Sequence, residues 1–331
     1  MGKLTRRVLG IAPREVSFAR RRFRCDSAAV RQRLEGAAAS FVAGYHLALE
    51  GDDPELLATR IRAGVAPEAT GFAFEGAGMA LSLLDILTPW RRDRLARLLA
   101  GPGAAHVYII HVGAGWALAR LPVPVERLLA RLDPVMGWLA LDGYGFHQGF
   151  FHWPEAVTRQ RVPRKLRGYA RRVFDQGLGR SLWFVEGAGP QRIAAAIGAF
   201  PPDRQGDLWA GTGLASAYAG GADRAGLAAL ATAADRHLPA LAQGVTFAAK
   251  SRQRAGNPTA GTALACEVIC GLTIEEAAAV TDRAQLEALA VAAAALKAGP
   301  EPAARLHVPL FELWRQSIQQ NFLPAGEGAA R

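Results

Sequence analysis

The stretch Asp142-Gly143-Tyr144-Gly145-Phe146 decides the fold, because its Gly-x-Gly pair recurs along the chain. The pair occurs five times, as Gly76/Gly78, Gly113/Gly115, Gly143/Gly145, Gly177/Gly179 and Gly211/Gly213. Weaker echoes stand at Gly44 and Gly244, so that six steps cover 200 residues with a mean interval near 33. A period of this length is typical of stacked helical units.

The residues around each pair predict helices. Apolar or small residues follow the glycines, as in Met79–Leu84, and an amphipathic segment lies about 14 residues upstream of most pairs. Prolines such as Pro67 and Pro134 mark the turns ahead of the second helix of a unit. An interior glycine costs a helix about 1 kcal/mol relative to alanine. Close approach of a neighbouring backbone or of a ligand must offset this cost.

We therefore predict an all-α fold of stacked helical hairpins with about 33-residue internal repeats, open as a solenoid or closed into a ring. Pro163 and the basic run near it disturb the unit around Gly177, which is interpreted as an insertion point. After the repeats, Thr273 and Glu276 form a predicted capping box, and Leu310–Phe322 forms an amphipathic helix. The predicted segments are a basic N-terminal segment at 1–30, a helical repeat domain at 31–272, C-terminal helices packed on it at 273–324, and a loose tail at 325–331.

The chain is basic, with a net charge of +10 and a pI near 10.2. Its arginines cluster in Arg20–Arg22, Arg91–Arg97 and Arg159–Arg172. These clusters fit either an acidic partner or solvated helix faces. Because no zinc finger or recognition-helix signature accompanies them, we expect no nucleic-acid partner.

Two further features of composition bear on location. The three cysteines give no disulfide framework and suit a reducing cytoplasm. The most apolar run, Ala104–Val123, contains His106, His111 and Arg120, which predicts a buried helix rather than a bilayer span. We expect a cytoplasmic protein without membrane insertion.

Two acidic residues are the first candidates for chemistry. Glu75 and Asp142 occupy the same place in their units, immediately before the glycines. Equivalent positions in stacked units tend to face the same side, so both carboxylates could point into one cavity. Burial would raise the pKa of such a carboxylate and suit it to general acid or base catalysis. Alternatively, the two carboxylates are hydrogen-bonded to helix N-termini or paired with arginine.

His111 and His147 are the other catalytic candidates, although buried histidines often have only structural roles. No metal-ligand spacing, Walker loop or complete dinucleotide fingerprint occurs, so the sequence predicts no metal and assigns no cofactor. Glycines and aromatic residues on the same helices could line a long apolar pocket, or the aromatic residues could simply pack in the core. The ligand-binding candidates are Gly76, Gly78, Gly143, Tyr144, Gly145, Gly211, Gly213, Trp116, Trp183 and Trp209.

Several segments resemble a family of uncharacterised proteins encoded in the enediyne polyketide biosynthetic clusters of actinobacteria. They are Arg6–Ile11, Phe18–Arg21, Asp142–His147, Gly177–Val185, Arg192–Ile197, Phe200–Pro202, Asp207–Gly211, Lys250–Pro258 and Ala265–Thr273. The resemblance covers most of the chain. It implies a bacterial protein that works near an iterative polyketide synthase, whose product is a long, reactive, apolar polyene.

Three hypotheses follow from the resemblance and the predicted cavity. In the first, an enzyme binds the polyene or a later polyyne and helps convert it to the enediyne core. In the second, a non-catalytic protein shields the polyene or bridges other pathway enzymes. In the third, a structural repeat protein binds a protein partner. The basic surface would suit an acidic carrier domain of the polyketide synthase.

Overall fold

A computed structural model describes residues 2–88, 90–297 and 308–324. Within these ranges the chain forms helices and no strand, which confirms the all-α prediction. The predicted loose tail at 325–331 lies outside the described residues. The predicted domain boundaries stay predictions. The same holds for the predicted internal repeats of about 33 residues.

The helices differ in length and burial. In the first half of the chain they are α1 Gly2–Leu9, α2 Phe18–Arg21, α3 Ala28–Glu50, α4 Pro54–Gly64, α5 Thr70–Leu87, α6 Arg94–Ala100, α7 Val107–Arg120, α8 Val125–Leu129 and α9 Leu139–Phe151. In the second half they are α10 Tyr169–Val185, α11 Pro190–Gly198, α12 Pro202–Ala219, α13 Arg224–Ala234, α14 Leu238–Arg254, α15 Ala260–Ala265, α16 Ile274–Lys297 and α17 Leu310–Gln320. The core helices are α3, α5, α7, α9, α10, α12 and α14, and each packs on the next in this order.

The contact between α3 and α5 shows why these helices carry glycine. A Cβ atom on Gly44 would lie 1.9 Å from the carbonyl oxygen of Ala73, and one on Gly76 would lie 2.0 Å from that of Phe41. Each glycine thus faces the carbonyl three residues before the other glycine. Only a residue without a side chain fits at such a distance from backbone.

The same reciprocal arrangement recurs at six successive contacts between core helices. The pairs are Gly44/Gly76, Gly78/Gly113, Gly115/Gly143, Gly145/Gly177, Gly179/Gly211 and Gly213/Gly244, with Cβ-to-oxygen distances from 1.6 to 2.6 Å. A Cα–H donor this close to a carbonyl forms a weak hydrogen bond of roughly 0.5–1 kcal/mol. This gain is comparable to the cost of an interior glycine. The reciprocal contacts confirm that the glycines mark close helix packing.

Spacing within a pair determines how a core helix joins two neighbours. Residues two apart on an α-helix point about 200° apart, that is, to nearly opposite faces. In α5, Gly76 accordingly faces α3, whereas Gly78 lies against the carbonyl oxygen of Ile110 in α7. The Gly-x-Gly pair therefore allows one helix to be approached from both sides.

The array of core helices curves back on itself. A Cβ on Gly221, just after α12, would lie 3.4 Å from Val30 in α3, and one on Gly71 in α5 would lie 1.9 Å from the hydroxyl of Tyr218 in α12. The end of α12 therefore meets the amino-terminal halves of α3 and α5. Between these helices the array encloses an interior space.

The terminal segments pack on this array. The N-terminal segment, predicted only as basic, contains α1 and α2, and the ring of Phe23 contacts that of Phe150 at 5.0 Å. Before α16, Thr273 and Glu276 exchange hydrogen bonds of 2.8 and 3.2 Å, which confirms the capping box. In α17, Arg315 is 1% exposed and binds Asp207 of α12 at 2.6 Å. This ion pair fixes the last helix to the core.

Among the described residues, the segment Pro67–Leu87 is long and apolar enough to cross a membrane, with a mean hydropathy of 1.3. In the fold, 72% of its most apolar window is buried against other helices. Buried core helices share this length and composition with membrane spans.

Two glycines of α3 provide a matched test of the packing. Gly44→Ala places a methyl group against the Ala73 carbonyl, and we expect a loss of about 2–3 kcal/mol or more in the free energy of unfolding. Gly36 lies in the same helix, and no atom lies within 4 Å of the point that an added methyl group would occupy, so Gly36→Ala should stabilise the protein by about 0.5–1 kcal/mol. Urea denaturation of both variants measures the difference. Equal effects would contradict the close packing at Gly44.

Candidate functional site

The interior space is a small cavity walled mainly by aromatic side chains. Its aromatic lining comprises Phe41, Phe72, Trp116, Phe146, Phe150, Phe184 and Tyr218. Two charged residues, Glu75 and Arg180, complete the polar part of the wall. The free volume is about 30 Å³, enough for roughly two water molecules.

Glu75 reaches this cavity because of its place beside the glycine contact. Its backbone carbonyl faces Gly113 of α7, so the residue lies at the seam between two core helices and is 3% exposed. Burial raises the pKa of Glu75 to about 7. The positive charge of Arg180 opposes the shift, the negative charge of Asp142 adds to it, and the nearby indole of Trp116 lowers it slightly. Near neutral pH the protonated and ionised forms of this carboxyl group are therefore both populated.

Arg180 joins the two predicted carboxylates. One of its Nη atoms donates a hydrogen bond to Asp142, and the other lies 3.9 Å from Oε1 of Glu75. Gln176 donates a second hydrogen bond to Asp142, at 2.8 Å. Because Asp142 already balances the charge of Arg180, the three-residue cluster is neutral when Glu75 holds its proton. The structure thus pairs both carboxylates with one arginine, as in the second interpretation, whereas only Glu75, and not Asp142, lines the cavity.

Four polar atoms of the residues that line the cavity have no hydrogen-bond partner in the described part of the chain. They are Oε1 of Glu75, Nε1 of Trp116, Nε of Arg180 and the hydroxyl of Tyr218. Buried polar atoms in folded proteins are nearly always paired, so each unpaired one calls for an explanation. Although Trp116 lies close enough to Glu75, and Ser251 to Tyr218, to lower the pKa of each, four such atoms beside one cavity indicate a place for a polar group of a ligand or for ordered water.

The two predicted histidines lie off the cavity. Nδ1 of His111 is 2.7 Å from the carbonyl oxygen of Val107 in its own helix. His147 packs against Trp116 and Phe151, with ring centroids 5.4 and 4.8 Å away. Burial, together with the nearby His152 and Arg120, lowers the pKa of His147 to about 3, so its ring is neutral at pH 7. No group of three or more potential ligands for a metal ion occurs among the described residues.

Of the predicted ligand-binding residues, the structure brings Trp116 to the cavity. The six glycines Gly76, Gly78, Gly143, Gly145, Gly211 and Gly213 face neighbouring carbonyl groups instead. Trp183 is buried and donates a hydrogen bond of 2.8 Å to the carbonyl of Gly220. Tyr144 lies beneath the ammonium group of Lys165, at 4.7 Å, and Trp209 is buried in α12 away from the cavity wall.

Sequence reasoning missed Arg180, Gln176 and Tyr218 as members of the site. A signal for Arg180 was present, because a charged residue directly after Gly179 interrupts an otherwise apolar run. Gln176 also stands immediately before a glycine pair, in the place that Glu75 and Asp142 occupy. Tyr218 is one of several aromatic residues that follow or flank the glycine pairs, and nothing in the pattern singled it out from the others.

Fold and site together define an all-α protein whose curved array of core helices surrounds an aromatic cavity with a buried acid. Over residues 1–322 the sequence matches the model of the family described as Protein of unknown function (DUF1702). The chain therefore belongs to this family. Neither the search of curated proteins nor the search of solved structures found a match to this chain.

The raised pKa of Glu75 predicts a specific dependence of stability on pH. The folded state keeps this proton up to about pH 7, whereas the unfolded chain releases it near pH 4.5. The stability that the proton provides is therefore present at low pH and is lost as the pH rises through 7. We expect the unfolding free energy of wild type, relative to Glu75→Gln, to fall by about 2–3 kcal/mol between pH 5 and pH 8.

Urea denaturation across this pH range measures the difference. Glu126→Gln, at an exposed position on α8, serves as the matched control and should follow the wild-type profile. Parallel profiles for wild type and Glu75→Gln would show that Glu75 titrates as an ordinary carboxylate.

Proposed function

We propose that this protein binds a long, apolar, unsaturated polyketide intermediate of enediyne biosynthesis, and that Glu75 transfers a proton during maturation of the enediyne core. The observation that carries the site is the buried carboxyl group of Glu75, with its pKa near 7 and no hydrogen-bond partner for Oε1, in an aromatic cavity. The polyene or polyyne as ligand rests on the resemblance of the sequence to proteins of enediyne gene clusters.

The cavity wall suits a conjugated carbon chain. Aromatic rings offer large apolar surfaces and favour edge and face contacts with other π-systems. Phe41 and Trp116 already stack at 4.2 Å on one side of the cavity, and Phe146 and Phe184 meet edge to face at 5.3 Å. Because the free volume is only about 30 Å³, a chain can enter only if side chains at the wall move aside.

Proton transfer is the chemistry that the polar groups support. A carboxyl group with a pKa near 7 can protonate one carbon of an unsaturated chain and remove a proton from another. Such a shift moves a double bond and needs no oxidant or reductant. Arg180 and Asp142 would hold Glu75 in place, while Trp116 and Tyr218 offer N–H and O–H groups to a polar substituent of the chain.

A second candidate function is shielding or scaffolding without catalysis. The mostly apolar wall favours it, since a reactive polyene is protected wherever water is excluded. In that case Glu75 would be dispensable, whereas the aromatic wall would not.

A partner is proposed for the basic surface as well. Arg164, Arg167 and Arg171 are exposed, and no ion pair within the described residues engages them. They would suit an acidic carrier domain of a cytoplasmic polyketide synthase or another pathway enzyme. By contrast, Arg94 and Arg172 of the predicted basic clusters are paired with Asp85 and Asp207.

Deletion and complementation in a producing strain test the proposal. We expect loss of the enediyne on deletion, with an apolar polyene accumulating, and restoration by wild type and by Glu126→Gln. Glu75→Gln should fail to restore the product, yet the purified variant should still carry the absorption bands of a bound polyene.

The outcomes separate the two functions. Full restoration by Glu75→Gln would remove the proton-transfer role and favour shielding. A deletion strain with unchanged product and intermediates would overturn both.

A further inference from the structure

A surface groove adjoins the aromatic cavity. The groove has a free volume of about 790 Å³, and small residues such as alanine and glycine make up most of its lining. It shares four lining residues with the cavity, namely Ala37, Phe72, Tyr218 and Ala219. The rings of Phe72 and Tyr218 meet edge to face at 5.1 Å, at the boundary between the two spaces. A ligand that passes this ring pair would reach Glu75.

Arg252 of α14 lies at this boundary. Its guanidinium is centred 4.2 Å from the ring of Tyr218 and 5.9 Å from that of Phe72. The side chain lines the groove and is only 2% exposed. Its Nη atoms donate to backbone carbonyls, including that of Tyr218 at 2.6 Å, and Nε has no partner.

No carboxylate of the described residues forms an ion pair with Arg252 or with the exposed Arg33 of the same groove. A buried charge without a counter-ion is unusual, because buried charges in proteins are normally paired. The groove also contains the acidic residues Glu68 and Asp223. Asp223 caps α13 through a hydrogen bond of 2.8 Å from Gly226, and Glu68 offers its backbone carbonyl to Arg252. The groove thus contains two carboxylates, but in the described residues neither forms an ion pair with Arg252 or Arg33.

We propose that the groove holds the carboxylate end of a long apolar acid at Arg252 and Arg33, while its hydrocarbon chain passes Phe72 and Tyr218 into the cavity. A carboxylate can accept a hydrogen bond from the unpartnered Nε of Arg252 and supplies the direct ion pair that neither arginine has within the described residues. This inference rests on the proposed function, because it assumes that the cavity takes an apolar chain. It adds the chemical class of the ligand, a free acid rather than a neutral hydrocarbon, and the path by which it enters.

The probe for the test is cis-parinaric acid, a conjugated tetraene fatty acid whose fluorescence rises in apolar surroundings, compared with its methyl ester. Charge-assisted hydrogen bonds should make the acid bind to wild type about tenfold or more tighter than the ester. In Arg252→Gln this preference should largely disappear through weaker binding of the acid alone. Arg33→Gln should weaken binding of the acid by about threefold, as expected for an exposed charge.

The matched control is Arg31→Gln, also exposed on α3, whose guanidinium donates to the carbonyl of Cys25 and does not line the groove. It should bind both probes as wild type does. If Arg252→Gln does not fold, the comparison of acid with ester in wild type and in Arg33→Gln still tests whether the carboxylate binds in the groove.

Each result has a distinct meaning. Equal binding of acid and ester to wild type would overturn the carboxylate site and leave the proposed apolar cavity standing. Binding of neither probe would overturn the proposed function together with this inference. A preference for the acid that survives both substitutions would place the acid end elsewhere and contradict the site at Arg252.

Discussion

The structure depends on one contact, in which a glycine of one core helix lies over a backbone carbonyl of the next and receives the same contact in return. Each contact is reciprocal, because each glycine faces the backbone carbonyl of the residue three positions before the other glycine. Weak Cα–H···O bonds and close dispersion contacts follow from this approach. They offset the helix stability that glycine gives up, and any side chain larger than hydrogen would separate the helices.

The same contact explains why the acidic side chains are buried. The residue before the first glycine of a pair offers its carbonyl to the following helix, as Glu75 does to Gly113 and Asp142 does to Gly177. Such residues stand at the seams of the array and away from solvent. An acid placed there is desolvated, and Arg180 can hold it without fully restoring its usual pKa. Packing and acid–base chemistry thus share one set of positions.

Much of the fold could be predicted from sequence, because glycine periodicity and helical patterning are local signals. The carboxylates Glu75 and Asp142 were found by their equivalent places in that pattern. Arg180 interrupts an apolar run, but its role was missed, because the sequence does not show which helix faces which carboxylate. The prediction that His147 lies at the cavity failed for the same reason: spacing along one helix does not reveal that its ring packs against Trp116 rather than lining the cavity itself.

The central claim is that the glycines act as reciprocal pairs, and a double-mutant cycle tests it most directly. Once Gly44→Ala has separated α3 from α5, adding Gly76→Ala at the same contact should cost little more, with a coupling energy of about 1–3 kcal/mol. Gly244→Ala, which belongs to a different contact, should add its full cost to that of Gly44→Ala, within about 0.5 kcal/mol. Simple additivity of the Gly44 and Gly76 substitutions in the measured free energy of unfolding would contradict the reciprocal contact.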